Sequence, residues 1–409
     1  MLRFRRTPHR TLTYETCPLS DLISFPGFGL VPPPKSGYLP LRPGQRLICL
    51  GDVHGDFSVL QHMLHLAGVY DPSASSPNWI GGDTVVVQCG DIMDRGPQEL
   101  ACWALLSKLS QQAATEGGTV TALWGNHEVM NALGLFHYTQ GGDKEFEHYL
   151  GRPFDHVVAV PSDLGRTWRS QFAGNQPARW AACEPGGLLA HTLFQHLSVA
   201  LVVGRTLCVH AGLTVQHLQD YSSTNSNGNE SGNPGKSSDN ALAALNAAAR
   251  EWITTAHHGP NANVLPSNMS GDDIIGLANI RARAASRALP SCLGGGRGEA
   301  ESPVWLRLYS SPADDEEDKT PNDTAQEELD AVLHHLSASR MAMGHTPQSR
   351  LNVALQQKAW RLDTAASRGM GGGCVEVLEI VHGESDDDDI VHIIDTAGQR
   401  IPGAERSRG

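Results

Sequence analysis

The chain predicts an α/β fold, and two observations carry that prediction. Apolar runs of strand length alternate with longer stretches of helical pattern. The Gly-Asp, Gly-Asn-His and His-containing clusters each follow directly on one of those runs, where open α/β sheets place their ligands.

In order along the chain, 46–50 reads as a strand and 58–69 as a helix. A Val-rich second strand follows at 84–89, then a helix at 98–115 that Gly117 and Gly118 bring to a stop. A third strand at 119–124 completes a βαβαβ pattern, which implies a sheet with helical crossovers. Segments 197–209 and 341–343 supply later strands, and 353–355, 374–380 and 390–394 read as a closing antiparallel set. Three stretches interrupt the pattern: a Ser, Asn and Gly-rich loop at 221–240, a Gly-rich run at 293–302 and an acidic segment at 312–323. Each lies between strong motifs, so they read as insertions in one catalytic domain over 46–382. An extended arm containing Pro32, Pro33 and Pro34 precedes it within 1–45, and an acidic segment, last strand and tail follow over 383–409. No internal repeat is visible.

The 409 residues carry a formal net charge of −13 and no basic stripe, which argues against a nucleic-acid partner. Much of the acid lies in 314–318 and 386–389, and reads as solvated loop charge. Eight cysteines are scattered without paired spacing, and Cys49, Cys89 and Cys208 sit in apolar runs, as small buried hydrophobes of a reducing compartment do. No apolar stretch is long enough for a membrane span and no signal-peptide core is present. An intracellular, cytoplasmic protein is expected; Arg3, Arg5, Arg6 and Arg10, with no acid among the first fourteen residues, fit an organelle-targeting sequence and an ordinary basic terminus equally.

Five clusters carry the chemistry: Gly51-Asp52-Val53-His54-Gly55, Gly90-Asp91-Ile92-Met93-Asp94-Arg95-Gly96, Gly125-Asn126-His127-Glu128, His210-Ala211-Gly212 and Gly344-His345-Thr346-Pro347. Asp52 and His54 can both turn inward from one loop. Asp91 can bridge two ions, Asn126 offers a neutral oxygen, and His210 and His345 offer imidazoles. Such mixed ligands suit Mn, Fe or Zn better than Ca. Two ions ~3.5–4 Å apart can hold a hydroxide between them and bind phosphoryl oxygens. Arg95 can grip phosphate with its planar fork, and His127 can protonate the leaving oxygen. Alone, each cluster is weak, since a lone Gly-Asp is usually a turn and a lone His usually a core group. Five in this order at strand ends make a site.

These motifs resemble the signature set of the phosphoprotein phosphatases, and most of all their Shewanella-like, bacterial-type branch. The similarity to that branch extends to Val129-Met130-Asn131, Pro303-Val304-Trp305-Leu306-Arg307 and Leu362-Asp363-Thr364-Ala365-Ala366-Ser367-Arg368-Gly369. The resemblance implies a calcineurin-like metallophosphoesterase fold, a central β-sandwich of two sheets flanked by helices. It implies that Asp52, His54 and Asp91 hold one divalent metal, and Asp91, Asn126, His210 and His345 a second, the pair being Mn, Fe or Zn. His127 would be the general acid, oriented by Asp94. Arg95, Arg307 and Asn126 would face the substrate phosphate. The implied activity is hydrolysis of phosphate monoesters on Ser, Thr or Tyr of a phosphorylated protein or peptide by a metal-bridging hydroxide. A small-molecule phosphatase or dinucleotide polyphosphate hydrolase is the alternative, and an inactive scaffold the third reading. The Ser-Ala-Pro-Asn-Tyr-Cys stretch of the eukaryotic serine/threonine enzymes is absent, so their regulatory subunits do not carry over.

Overall fold

A computed structural model of the protein describes residues 28–73, 78–140, 145–146, 177–222, 235–255, 282–295, 301–310 and 323–406. The arginines of the N-terminus and the acidic run at 314–318 lie outside the described residues, as do 223–234 and 296–300 of the other two expected insertions.

In chain order, the strands are β1 (Tyr38–Leu39), β2 (Arg46–Leu50), β3 (Val85–Gln88), β4 (Thr119–Ala122), β5 (Ala200–Val203), β6 (Thr206–Val209), β7 (Arg340–Met343), β8 (Asn352–Ala354), β9 (Ala359–Arg361), β10 (Val377–Val381), β11 (Ile390–Ile394) and β12 (Arg400–Pro402). The helices that matter most to the site are α1 (Phe57–Leu66), α2 (Glu99–Thr115), α3 (Asn126–Ala132) and α4 (Pro177–Cys183). Asp56 caps α1 by accepting from the Val59 amide, which fixes its start. Gly117 has φ 80 just beyond α2, the left-handed turn that a helix stop favours. α1 ends at Leu66, before the expected 69, because Gly68 has φ 67 and cannot continue the helix.

Two six-stranded sheets result, in the orders β1-β5-β6-β7-β9-β8 and β12-β11-β10-β2-β3-β4. Each contains a parallel triad, β6-β7-β9 in one and β2-β3-β4 in the other, bordered by antiparallel strands. Alternation along the strands separates two cores. Leu47, Cys49, Val85, Val87, Leu201, Cys208, Ala342 and Trp360 fill the space between the sheets. Their neighbours Ile48, Leu50, Val86, Val120, Val202, Leu207 and Met341 face the outer layers with α1 and α2 residues such as Leu60, Trp103 and Leu106. Burial on both faces makes these strands read as unbroken apolar runs, and each such Val or Leu contributes about 1.5–3 kcal/mol. The cysteines behave as expected: the seven among the described residues are free, and Cys49, Cys89 and Cys208 are buried.

The expected closing set is divided. β8 and β9 finish the first sheet, whereas β10, β11 and β12 finish the second. The strands are too short for the sequence to show which partner they choose. Residues 235–240 open a helix, Gly235–Thr254, instead of belonging to a loop. The acidic run at 386–389 is not solvated charge alone. The Asp389 side chain is 1% exposed and accepts from Arg340 Nη1 at 2.7 Å, from the Gly383 amide at 2.8 Å and from Arg205. Asp386 pairs with Arg205 at 2.6 Å. Asp389 leads into β11, while Arg205 and Arg340 belong to the other sheet, so this carboxylate clasps the two sheets together.

Candidate active site

The loops that leave β2, β3, β4, β6 and β7 meet at one rim of the sandwich, and they bring together every ligand expected from the sequence. Asp91 stands at the centre. Its Oδ1 accepts from the His127 amide at 3.0 Å, and its Oδ2 lies 3.4 Å from His210 Nε2 and 3.8 Å from the Nε2 atoms of His54 and His127. Asn126 Oδ1 is 3.1 Å from His210 Nε2 and 3.0 Å from His345 Nδ1. Asp52 accepts from the His345 amide at 3.2 Å and has Oδ2 3.9 Å from His54 Nε2.

The tautomers follow from the outer partners. His54 Nδ1 donates to the Met93 carbonyl at 3.0 Å and His210 Nδ1 donates to the Cys89 carbonyl at 2.7 Å. In the neutral ring each Nε2 is therefore a lone pair aimed inward. Asn126 Oδ1 and Asp91 Oδ2 are acceptors as well. Acceptors facing one another at 3.1–3.4 Å need a positive charge between them, a metal ion or a second proton on His210, whose pKa Asp91 raises against burial. Ligand atoms of His54, Asp91 and His127 fall within 4.8 Å of one another, and so do those of Asp91, His210 and His345. The residues present thus fit a pair of metal ions that shares Asp91.

His127 differs from the other three imidazoles. Its Nδ1 bonds Asp94 Oδ2 at 2.6 Å, and Asn131 Nδ2 donates to Asp94 Oδ1 at 3.0 Å. Burial alone would lower its pKa, but Asp91 and Asp94 outweigh burial and raise it. Burial lowers His54 to about 4 and, with His210 beside it, His345 to about 2. For Asp91, burial works upward, yet His210 and His127 hold the carboxyl well below its usual range.

Arg95 lies over the Tyr138 ring at 4.8 Å, and its amide donates to the Tyr138 carbonyl at 2.8 Å. Its Nε is buried without a hydrogen-bond partner. Arg307 is exposed beside the site and donates from Nη1 to Thr346 Oγ1 at 2.9 Å, next to His345. Five residues here have left-handed backbones without being glycine: His54 (φ 47), Asp91 (φ 57), Asp94 (φ 70), Arg95 (φ 64) and His345 (φ 69).

Residues 45–348, most of the chain, match the model of the calcineurin-like phosphoesterases. Shewanella-like protein phosphatase 2 of Arabidopsis thaliana is 31% identical over 358 residues, covering 82% of this chain and 75% of that protein. The chain belongs to the calcineurin-like phosphoesterase family, in its Shewanella-like protein phosphatase branch. The phosphatase is also 34% identical to Shewanella-like protein phosphatase 1 of Plasmodium berghei over 105 residues, 26% of this chain and 28% of that one. The crystal structure of a cold-active protein-tyrosine phosphatase of a psychrophilic Shewanella superposes with a TM-score of 0.56 at 19% identity, over 93% of this chain and 85% of that chain. This likeness shows the same fold, the two-sheet sandwich with flanking helices. Two divalent metals serve this family, and the two ligand groups of the phosphatase accord with that. No helix among its described residues is long and apolar enough to cross a membrane.

Around the phosphatase site lies a layer to which motif reading gave no role. Glu128 is fully buried and accepts four amides, those of Asp91 (2.8 Å), Ile92 (2.8 Å), Met93 (3.0 Å) and Gly125 (2.9 Å). It ties the Asp91 loop to α3. Burial and Asp91 push its carboxyl up to about 7. Arg179 of α4 is buried against Phe146, at 4.4 Å from the ring, and donates to Glu99 and to Asn131 Oδ1. Glu99 in turn accepts the Asp94 amide, so a chain of bonds from α4 holds the Asp94–His127 pair. Glu128 and Asn131 sit inside the Gly-Asn-His motif and were within reach of the sequence; nothing in the sequence marks Arg179. Arg368 grips Asp56 through Nε at 2.8 Å and Nη2 at 2.9 Å. Ser367 Oγ donates to the His54 carbonyl at 3.3 Å, and a Cβ on Gly369 would stand 2.3 Å from the Arg95 carbonyl. The 362–370 segment is therefore pressed against both motif loops.

Proposed function

We propose that the chain removes phosphate from protein side chains, with phosphotyrosine as the favoured substrate. The observation that carries the reading is the set of inward-facing acceptors around Asp91, with a hydrogen-bonded imidazole and a guanidinium whose Nε has no hydrogen-bond partner at its edge. Asp52, His54 and Asp91 would hold one divalent ion, and Asp91, Asn126, His210 and His345 the other. Imidazole, amide and carboxylate donors together suit Mn or Fe, with Zn next. When bound, the ions supply electrophilic activation of the phosphoryl group and of the attacking water.

The chain's own residues do the rest. Arg95 and Arg307 bind the phosphoryl oxygens, Arg95 as a planar fork held by stacking on Tyr138. His127, kept protonated by Asp94 and Asp91, gives its proton from Nε2 to the departing oxygen. The Asp94 carboxylate on Nδ1, which none of the other three imidazoles has, marks His127 as the acid.

Tyr138 supports the preference for tyrosine. Its ring is 5.2 Å from His127 and 4.8 Å from Arg95, with 45% of the residue exposed. It thus forms an aromatic wall beside the acid, where the leaving group must lie, and the fold relative from Shewanella is named a protein-tyrosine phosphatase. The test is a metal-stripped chain reloaded with Mn and assayed on phosphotyrosine and phosphoserine peptides and a dinucleotide polyphosphate. Mn should restore turnover, with kcat/KM highest for phosphotyrosine and lowered in Tyr138→Leu. Faster cleavage of the dinucleotide would sink the protein-substrate reading, and full turnover without metal would sink the metal reading.

A further inference from the structure

Six strands of the two parallel triads end at the rim that carries the site, and five of their exits supply the expected residues: β2, β3, β4, β6 and β7. The sixth exit, from β9, is Asp363. It is 2% exposed. Its backbone is wedged between two motif loops. A Cβ on Gly51 would stand 2.4 Å from the Leu362 carbonyl and 3.2 Å from the Asp363 amide, and the Asp363 carbonyl accepts from the Gln348 amide at 2.8 Å. Gly51 immediately precedes Asp52, and Gln348 follows His345 by one turn of chain.

The side chain is only half used. Oδ1 accepts from the Ala365 amide at 2.8 Å, whereas Oδ2 is buried without a hydrogen-bond partner. A buried carboxylate oxygen with no donor is unfavourable unless a cation offsets it. The contact with Gly51, the residue before Asp52, puts this carboxylate at the Asp52 end of the site. Two neighbouring buried carboxylates would repel in a molecule that held no cation beside them.

We propose that Asp363 is an outer member of the metal centre, a carboxylate beside Asp52 whose negative charge strengthens the hold on the cation at the Asp52–His54 position. The inference rests on the two-metal reading above and adds a residue to it. Asp363 is a positioning and charge-balancing residue and touches no reacting atom. It contributes metal affinity in the loaded protein and repulsion in the stripped one.

The two effects have opposite signs, and a merely structural residue would not show both. The full-length chain and its isosteric Asp363→Asn variant are stripped with chelator and titrated with Mn alone, with free Mn followed by its paramagnetic signal. Melting is recorded in chelator and at saturating Mn. The wild type should bind two ions. The variant should bind one of the two about tenfold more weakly, the usual size of an outer-shell loss. Without metal the variant should melt at a higher temperature than the wild type, and saturating Mn should raise its melting temperature less. Two ions bound with equal affinity in both proteins, or a metal-free variant that melts no higher, overturns the inference and leaves the metal reading standing. A wild type that takes fewer than two Mn ions overturns both. Should the Asn variant misfold, Asp363→Ser is titrated in its place under the same criteria.

Discussion

The duties proposed for His127 and Asp91 differ, and mutation should separate them. His127→Asn should keep both metals by elemental analysis, yet slow esters of poor leaving groups by ~10²–10⁴-fold. An activated aryl phosphate, whose leaving group needs little help, should lose far less; equal losses on both substrates would refute the acid role. Because Asp91 and Asp94 raise the His127 pKa, the proton is present at low pH and is lost as pH rises through that elevated value. The alkaline fall of kcat should therefore lie above the ordinary imidazole range, and Asp94→Asn should move it down. Asp91→Asn should remove most bound metal and nearly all turnover, since one oxygen of Asp91 faces three imidazoles. A variant holding two metals at full rate would refute the shared-ligand role. These residues were legible in the sequence because each needs only its own motif and a strand end. Arg179 was not, because it acts through Glu99 and Asn131, 80 and 48 residues away.

At the scale of the element, the site depends on how loops are fastened to one another. Glu128 fastens the Asp91 loop to α3, and a glutamine there would turn an NH₂ group toward two of its four amides. Each buried amide left unpaired costs about 1–3 kcal/mol, so Glu128→Gln should lower the urea midpoint sharply and reduce metal content with it. The Asp56–Arg368 pair fastens the 362–370 segment to the start of α1. The Arg368 side chain is 69% exposed, so solvent screening limits the pair to about 1 kcal/mol. Burial works the other way, but Arg368 holds the Asp56 carboxyl below its usual value. That stability is fully present above the unfolded carboxyl pKa and fades as pH falls through the lower folded one. The advantage of the wild type over Arg368→Ala in urea should thus persist from pH 7 to pH 5 and vanish only in acid. The long elements, β2, β3, β4, α1 and α2, were readable from periodicity. Strands of two or three residues, such as β1, β9 and β12, carry no period that a sequence can show. The division of the closing strands between two sheets depends on distant pairing, which local pattern does not encode.

The molecule as a whole is two sheets that must stay in register for one rim to work. Asp91 and Asn126 come from one sheet and His210 and His345 from the other, while Asp389 clasps the pair well away in sequence. Removing one partner of a buried ion pair costs about 3–5 kcal/mol. Asp389→Asn should lower stability by that order in urea while leaving turnover per folded molecule at 25 °C unchanged, a result that separates clasp from catalyst. Loss of turnover with unchanged stability would refute the clasp. The left-handed backbones of His54, Asp91, Asp94, Arg95 and His345 carry a consequence of another kind. Each holds a Cβ residue where glycine is at ease, at about 1–2 kcal/mol apiece. Heat resistance and chemistry therefore pull these positions in opposite directions. A population of variants screened for survival of heating alone should accumulate glycine and asparagine at 54, 91 and 345, growing sturdier as it forgets its reaction.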